Sequence, residues 1–212
     1  GTSSGSATLT IAGDLDFDTN NLLVTSLGRN VLVADTVDNN YTFGLLAGET
    51  LTGLTDFNLM LGYGAGQFAS TSAVDYSVYA GYLAGQNSSQ SSSVIIGDYA
   101  GQNASGVGYN VYVGSYAGQN ATGLDQVFIG DYIGVSSGGS RVVAIGAGIA
   151  ENNTGSDVYA IGSWDTIDNN SGNNLIALGN DTGRFNSGDN TILIVDYAGE
   201  SNTGDFNISI GN

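Results

Sequence analysis

A mostly apolar run of three residues, closed by a fixed punctuation point, recurs eleven times between residues 41 and 211. The runs close at Gly44, Gly62, Gly81, Gly97, Gly114, Gly130, Gly146, Gly162, Gly179, Val195 and Gly211, in steps of 18, 19, 16, 17, 16, 16, 16, 17, 16 and 16 residues. So short a period cannot hold a helix pair or a propeller blade. It fits one coil of a β-solenoid, in which each coil buries its apolar residues only by stacking on its neighbours. The expected fold is all-β: a β-solenoid (parallel β-roll or β-helix) of about 16-residue coils over residues 39–212, with a short irregular β segment over residues 1–38.

With the closing residue as position zero, positions −3 and −1 are aliphatic in nearly every coil, as in Val94/Ile96, Val111/Val113, Val127/Ile129 and Val143/Ile145. Position −2 varies from Ile95, Tyr112 and Phe128 to Ala144, Ala160 and Ser209. Side chains alternate across a strand, so the pattern predicts −3 and −1 inside and −2 outside. Glycines recur at +4 (Gly85, Gly101, Gly118) and +9 (Gly106, Gly123, Gly139), and two glycine-marked corners predict two strands and two turns per coil. Asn at +6 and Ser or Thr at +8 suit turns and predict side-chain ladders between coils. Coils stacked at about 4.8 Å make a rod on the order of 50 Å long.

Composition narrows the function. Among 212 residues there are 34 Gly, three basic side chains (Arg29, Arg141, Arg184) and a formal charge of −17. Such a surface repels phosphates and anionic lipid, which speaks against a nucleic-acid partner. No apolar run approaches the ~20 residues of a membrane helix, so membrane insertion is not expected. With no Cys and no His, the chain has neither thiolate metal ligands nor the parts of a conventional nucleophilic triad, and an enzyme is disfavoured. No cofactor is expected.

Three segments carry a family resemblance: Val94-Ile-Ile-Gly-Asp-Tyr-Ala-Gly101, Val111-Tyr-Val-Gly-Ser-Tyr-Ala-Gly118 and Val127-Phe-Ile-Gly-Asp-Tyr-Ile-Gly134. They resemble the β-roll heads of trimeric autotransporter adhesins and, more closely, the Ile-Gly-x-x-Ala-Gly repeats of phage tail fibres. The stretch from Gly13 to Val24 is similar to the strand-rich segment that precedes such repeats. The resemblance implies a non-catalytic extracellular protein, on a virion fibre or a cell surface, and a homotrimer as its partner state.

Several candidate sites follow. The −2 residues Met60, Tyr79, Ile95, Tyr112 and Phe128 would form an outward apolar stripe, read as a subunit interface. Tyr99, Tyr116, Tyr132, Trp164 and Tyr197 recur at +2, a column suited either to stabilising neighbouring rungs or to stacking on surface glycans. Asp98, Asp131 and Asp196 share position +1; calcium is the minor reading there and solvated charge the major one. Eight Asn-x-Ser/Thr sequons, at Asn40, Asn87, Asn103, Asn120, Asn152, Asn169, Asn180 and Asn207, are glycosylation candidates. Short strands near Leu9 and Ile11, Asn21–Val24 and Asn30–Val33 read either as a cap or as strands given to another subunit. The run Ile208-Ser-Ile210 reads as an open rung for end-to-end stacking, so a self-polymerising filament stands beside the fibre reading, with a carbohydrate-binding solenoid third.

Overall fold

The computed structural model describes residues 21–26, 29–35, 39–49, 57–69, 75–106 and 108–210, with side chains from residue 39 onward. Thirteen strands form one sheet in chain order. Strands β1 (Asn21–Ser26) and β2 (Arg29–Asp35) make an antiparallel hairpin, and β2 pairs antiparallel with β3 (Asn40–Phe43). From β3 the direction is constant: β4 (Leu59–Leu61), β5 (Val78–Ala80), β6 (Val94–Ile96), β7 (Val111–Val113) and β8 (Val127–Ile129) follow in parallel. So do β9 (Val142–Ala147), β10 (Val158–Ser163), β11 (Leu175–Leu178), β12 (Thr191–Ile194) and β13 (Ile208–Ile210). The register pairs each position with its equivalent one coil on, as in Val94↔Val111↔Val127↔Val143. The solenoid is therefore what the sixteen-residue repeat predicts. The hairpin of residues 21–35 pairs within the chain and covers the edge of the first rung; Leu9 and Ile11 lie outside the described residues.

Each coil has one strand, not two. The opposite limb is a run of tight turns in which alternate residues are left-handed, as at Tyr99 (φ 56), Gly101 (φ 56) and Asn103 (φ 56). Alternate amides close turns three residues back, such as Gln102 N to the Tyr99 carbonyl. The others donate up and down the rod by turns: Tyr99 N to the Tyr82 carbonyl at 2.9 Å, Gly101 N to Ala117 at 2.8 Å, Asn103 N to Gln86 at 2.8 Å. The turn limb is thus hydrogen-bonded to both neighbours, as a strand would be, while drawing the chain in close to the sheet.

The inside–outside phase is the reverse of the one predicted. Met60, Tyr79, Ile95, Tyr112 and Phe128 are fully buried, whereas Val94 is 37% and Ile96 41% exposed. The −2 residues cannot be an outward interface because they are the core. Their variability is packing compensation. Large −2 residues face a small residue at +7 of the turn limb: Ala69, Ser88, Ala104, Ala121 and Ser137 are all buried. Where −2 shrinks to Ala144, Ala160 and Ala177, the facing site becomes Asn153, Asn170 (+8 in its longer coil) and Asn186, and −4 becomes Val142, Val158 and Leu175. Volume lost at −2 is thus made up at the facing site and at −4, as close packing requires.

Polar side chains inside bond to one another along the axis, while Gln90 Oε1 and Thr191 Oγ1 are buried without a hydrogen-bond partner among the described residues. Tyr79 donates its hydroxyl to the Gln90 carbonyl at 2.8 Å, the Gln90 amide donates to Tyr112 Oη at 3.1 Å, and Tyr112 donates to Gln126 Oε1 at 2.6 Å. Burial pushes the Tyr79 phenol up to about 12 and raises that of Tyr112 as well. In the second half the side-chain amides of Asn170, Asn186 and Asn202 each donate to the previous asparagine at 2.8 Å, and to a glycine carbonyl two residues on.

This phase makes a sharp contrast measurable. Phe128→Ala should cost about 3–5 kcal/mol of unfolding free energy, the usual penalty for emptying an aromatic core site. Val127→Thr, one residue away on the outer face, should cost under about 1 kcal/mol in the isolated chain. Chemical denaturation of the two variants checks it, and equal losses would contradict the assignment.

Candidate functional site

Reversing the phase moves the aliphatic columns to the surface. Positions −3 and −1 of β3–β13 form two unbroken lines on the outer face of the sheet, from Tyr41 and Phe43 to Ile208 and Ile210. Ile129, Ile145, Ile161 and Ile176 are exposed, as are Ile208 and Ile210, while Val111, Val127, Val143 and Ile194 are half-buried against their neighbours. No residue of these two columns is charged or carries an amide. With eleven strands at about 4.8 Å and a width of about 10 Å, the face covers on the order of 500 Å². That is as large as the biggest apolar patch on an ordinary monomer, and it is continuous.

One corner bordering this face carries aromatic rings. Tyr63, Tyr82, Tyr99, Tyr116 and Tyr132 follow one another with centroids 5.4, 5.3, 5.0 and 4.6 Å apart. Three of the four contacts are near-parallel stacks, with Tyr82–Tyr99 edge-on. The column therefore extends two rungs earlier than the +2 pattern suggested. The faces of Tyr99 and Tyr116 lie against other rings, so neither presents the open platform that sugar stacking needs. Trp164 and Tyr197 are exposed and have no ring partner among the described residues.

The other border, at −5, reads Phe57, Tyr76, Ser92, Tyr109, Asp125, Arg141 and Asp157. Phe57 and Tyr76 stack at 5.1 Å. Arg141 makes a two-pronged contact with Asp157, Nε to Oδ1 at 2.6 Å and a terminal nitrogen to Oδ2 at 2.7 Å, which holds the carboxyl below its usual range. This pair is solvent-exposed and of small energetic weight.

The acidic column serves the corners. Asp98 accepts the backbone N–H of Tyr82 at 3.4 Å, Asp131 that of Ser115 at 3.1 Å, and Asp196 that of Asn180 at 2.8 Å. Each carboxylate caps an amide of the preceding coil that no carbonyl reaches. Asp98 and Asp131 sit two rungs apart and Asp196 four rungs beyond, so they never converge on one point. Among the described residues no three acidic side chains group where a cation could be held.

The sequons divide. Asn40 is 7% exposed, and its Oδ1 accepts from both the backbone and the side-chain amide of Asn58 at 3.0 Å. A buried, ladder-bonded amide cannot accept a glycan in the folded chain, which removes Asn40 as a candidate. Asn87, Asn103 and Asn120 are exposed and form an external ladder at 3.0 and 3.2 Å. Asn152, Asn169 and Asn180 are exposed, and Asn207 is half-buried with its amide donated to Asn202.

Among the described residues Asp168 is the one buried acid, and nothing in the repeat pattern singles it out. It occupies the column filled earlier by Gln67, Gln86, Gln102 and Gln119, which bond one another at 3.0, 2.8 and 2.9 Å. Burial raises its pKa to about 7, opposed by the N–H of Glu151 at 2.8 Å and reinforced by the charges of Glu151 and Asp165. From about pH 4 to about pH 7 the native state holds a proton that the unfolded chain has released, so this group makes stability fall as pH rises through that window. Asp168→Asn should raise the melting temperature at pH 8 and leave it nearly unchanged at pH 4. Thermal melts across this range test it; a larger gain at pH 4 would reverse the sign.

Compared with known proteins, the chain matches no family model, no curated protein and no solved structure.

Proposed function

We propose that this chain is a non-catalytic structural element of an extracellular fibre, on a virion or a cell surface, and that it works as a closed homo-oligomer of parallel rods. The observation that carries the reading is the outer aliphatic face of β3–β13: continuous, uncharged and as long as the rod. On a chain of net charge −17, a stripe free of carboxylates along its whole length is a selected exclusion.

A second copy of the same face is its natural partner. Both carry side chains at the same axial repeat of about 4.8 Å, so ridges of one can seat between ridges of the other without a register conflict. Two faces of on the order of 500 Å² bury about 1,000 Å² in total, the threshold of a specific interface, and Phe57 and Tyr76 on the −5 border add to it. The family resemblance adds a threefold arrangement. Pairing of faces also gathers the acidic corners on the outside, where they keep the assembly soluble.

Sedimentation or light scattering tests the proposal. The wild-type protein should run as a discrete multiple of its 21.5 kDa chain mass. The double variant Ile129→Asp/Ile145→Asp places two charges on the exposed face and should yield a monomer with an unchanged circular dichroism spectrum. A wild-type monomer, or a charged variant that stays assembled, would overturn it.

A further inference from the structure

The aromatic corner is interrupted at one rung. Reading upward, position +2 holds Tyr116, Tyr132, Gly148 and Trp164. Backbone bonds keep them in register: Tyr132 N donates to the Ser115 carbonyl at 2.8 Å, Gly148 N to Asp131 at 2.9 Å and Trp164 N to Ala147 at 2.9 Å. Tyr132 is covered on one side by Tyr116, at 4.6 Å, and on the other meets a rung with no side chain. Trp164 lies one rung beyond, 73% exposed, with no ring contact to Tyr132.

Two rungs separate the backbones of Tyr132 and Trp164, about 9.6 Å. A ring held between two aromatic faces at van der Waals distance needs about 7–8 Å. Gly148 keeps this space clear: its φ is +62, and a Cβ there would already sit 3.8 Å from Cε3 of Trp164. A second feature marks the same place. The coil from Gly162 to Gly179 is one residue longer than its predecessor, and Trp164 (φ 46) and Asp165 (φ 56) are consecutive left-handed residues. The left-handed angle of Trp164 is shared with Tyr116 and Tyr132, and the second left-handed residue, Asp165, is what sets this corner apart.

We propose that the gap over Gly148, between Tyr132 and Trp164, is a binding slot for a neutral hexopyranose ring. Its two faces are aromatic, as the C–H faces of a sugar require. Its rim offers an acceptor. One oxygen of Asp131 takes the Ser115 amide, leaving the other without a partner among the described residues, and it can accept a sugar hydroxyl; Asp165, beside Trp164, is engaged by Arg184 at 3.5 Å and by Asp168. The net charge of −17 repels uronic and sialic acids and favours a neutral ring. Of the five tyrosine and tryptophan positions in the +2 column, this assigns the role to the two that flank the gap. It does not depend on self-assembly, because the slot lies on the corner beside the aliphatic face.

Trp164 is the chain's single tryptophan, so its emission reports directly on the slot. Titration with methyl glycosides of glucose, galactose, mannose and N-acetylglucosamine should give, for at least one, a saturable blue shift with a Kd on the order of 1 mM. Gly148→Asn keeps a residue tolerant of the left-handed backbone but fills the gap, and Tyr132→Ala removes one face. Each should weaken the response about tenfold with the circular dichroism unchanged. The Ile129→Asp/Ile145→Asp variant should respond like the wild type, which separates this test from that of assembly. No saturable shift with any glycoside up to about 50 mM would overturn the proposal. So would an undiminished shift in both slot variants, or a shift with choline alone, which would make the slot a cation site.

Discussion

Axial hydrogen bonding between equivalent backbone positions of successive coils is the interaction on which everything else in this molecule rests. It is seen in the sheet, in the turn limb and at the corners. At the closing glycine each N–H donates to the carbonyl of the −1 residue one coil back, as from Gly114 to Ile96 and from Gly130 to Val113, both at 2.8 Å. The chain must pass so close to its neighbour here that a Cβ on Gly114 would fall on the carbonyl oxygen of Gly130, at a φ of +134. At Gly114 only glycine permits both the angle and the approach; Val195, which closes one coil at a φ of 85, is the exception in the column. The spacing of the whole rod is set at this column, and the side-chain ladders of Gln and Asn follow it rather than create it.

Once the coils are stacked, the rest is constrained. The turn limb lies near enough to the sheet that one layer of side chains fills the interior, so volume must be balanced within each coil. Corners whose amides find no carbonyl are capped by Asp, Asn or Ser of the next coil, as with Asp131 on Ser115, Asn173 on Ser156 and Ser156 on Ser140. Much of the acidity of this chain is therefore structural. The one face left without polar caps is the outer face of the sheet, which is why it stands out as a surface for association.

The repeat length, the parallel stacking and the sites of the corners were all legible in the sequence, because closing glycines at near-constant spacing allow few alternatives. The phase of the strand was not. A sheet that is apolar on both faces gives no binary signal, and Val94 and Ile96 look more core-like than Tyr79 or Ala144. The information was present in another form. Large residues at −2 coincide with Ala or Ser nine residues on, and Ala144, Ala160 and Ala177 coincide with Asn153, Asn170 and Asn186, which is the covariation of a shared interior. The second strand per coil was expected because glycines mark two corners; left-handed Tyr99, Asn103 and their equivalents instead build that limb from turns, and no local propensity announces such a choice for tyrosine. The gap at Gly148 is visible only once the +2 column is known to be a stack.

Spin-label distances along one column test the stacking most directly. The chain has no cysteine, so paired substitutions are clean reporters. Ser105, Ser171, Ser187 and Thr203 occupy the same exposed position on coils four, five and six intervals apart. With spin-diluted samples, Ser105→Cys paired in turn with Ser171→Cys, Ser187→Cys and Thr203→Cys should give distances near 19, 24 and 29 Å, rising by about 4.8 Å per coil. Distances that fail to grow with the number of coils would mean that the chain is not a stack of rungs.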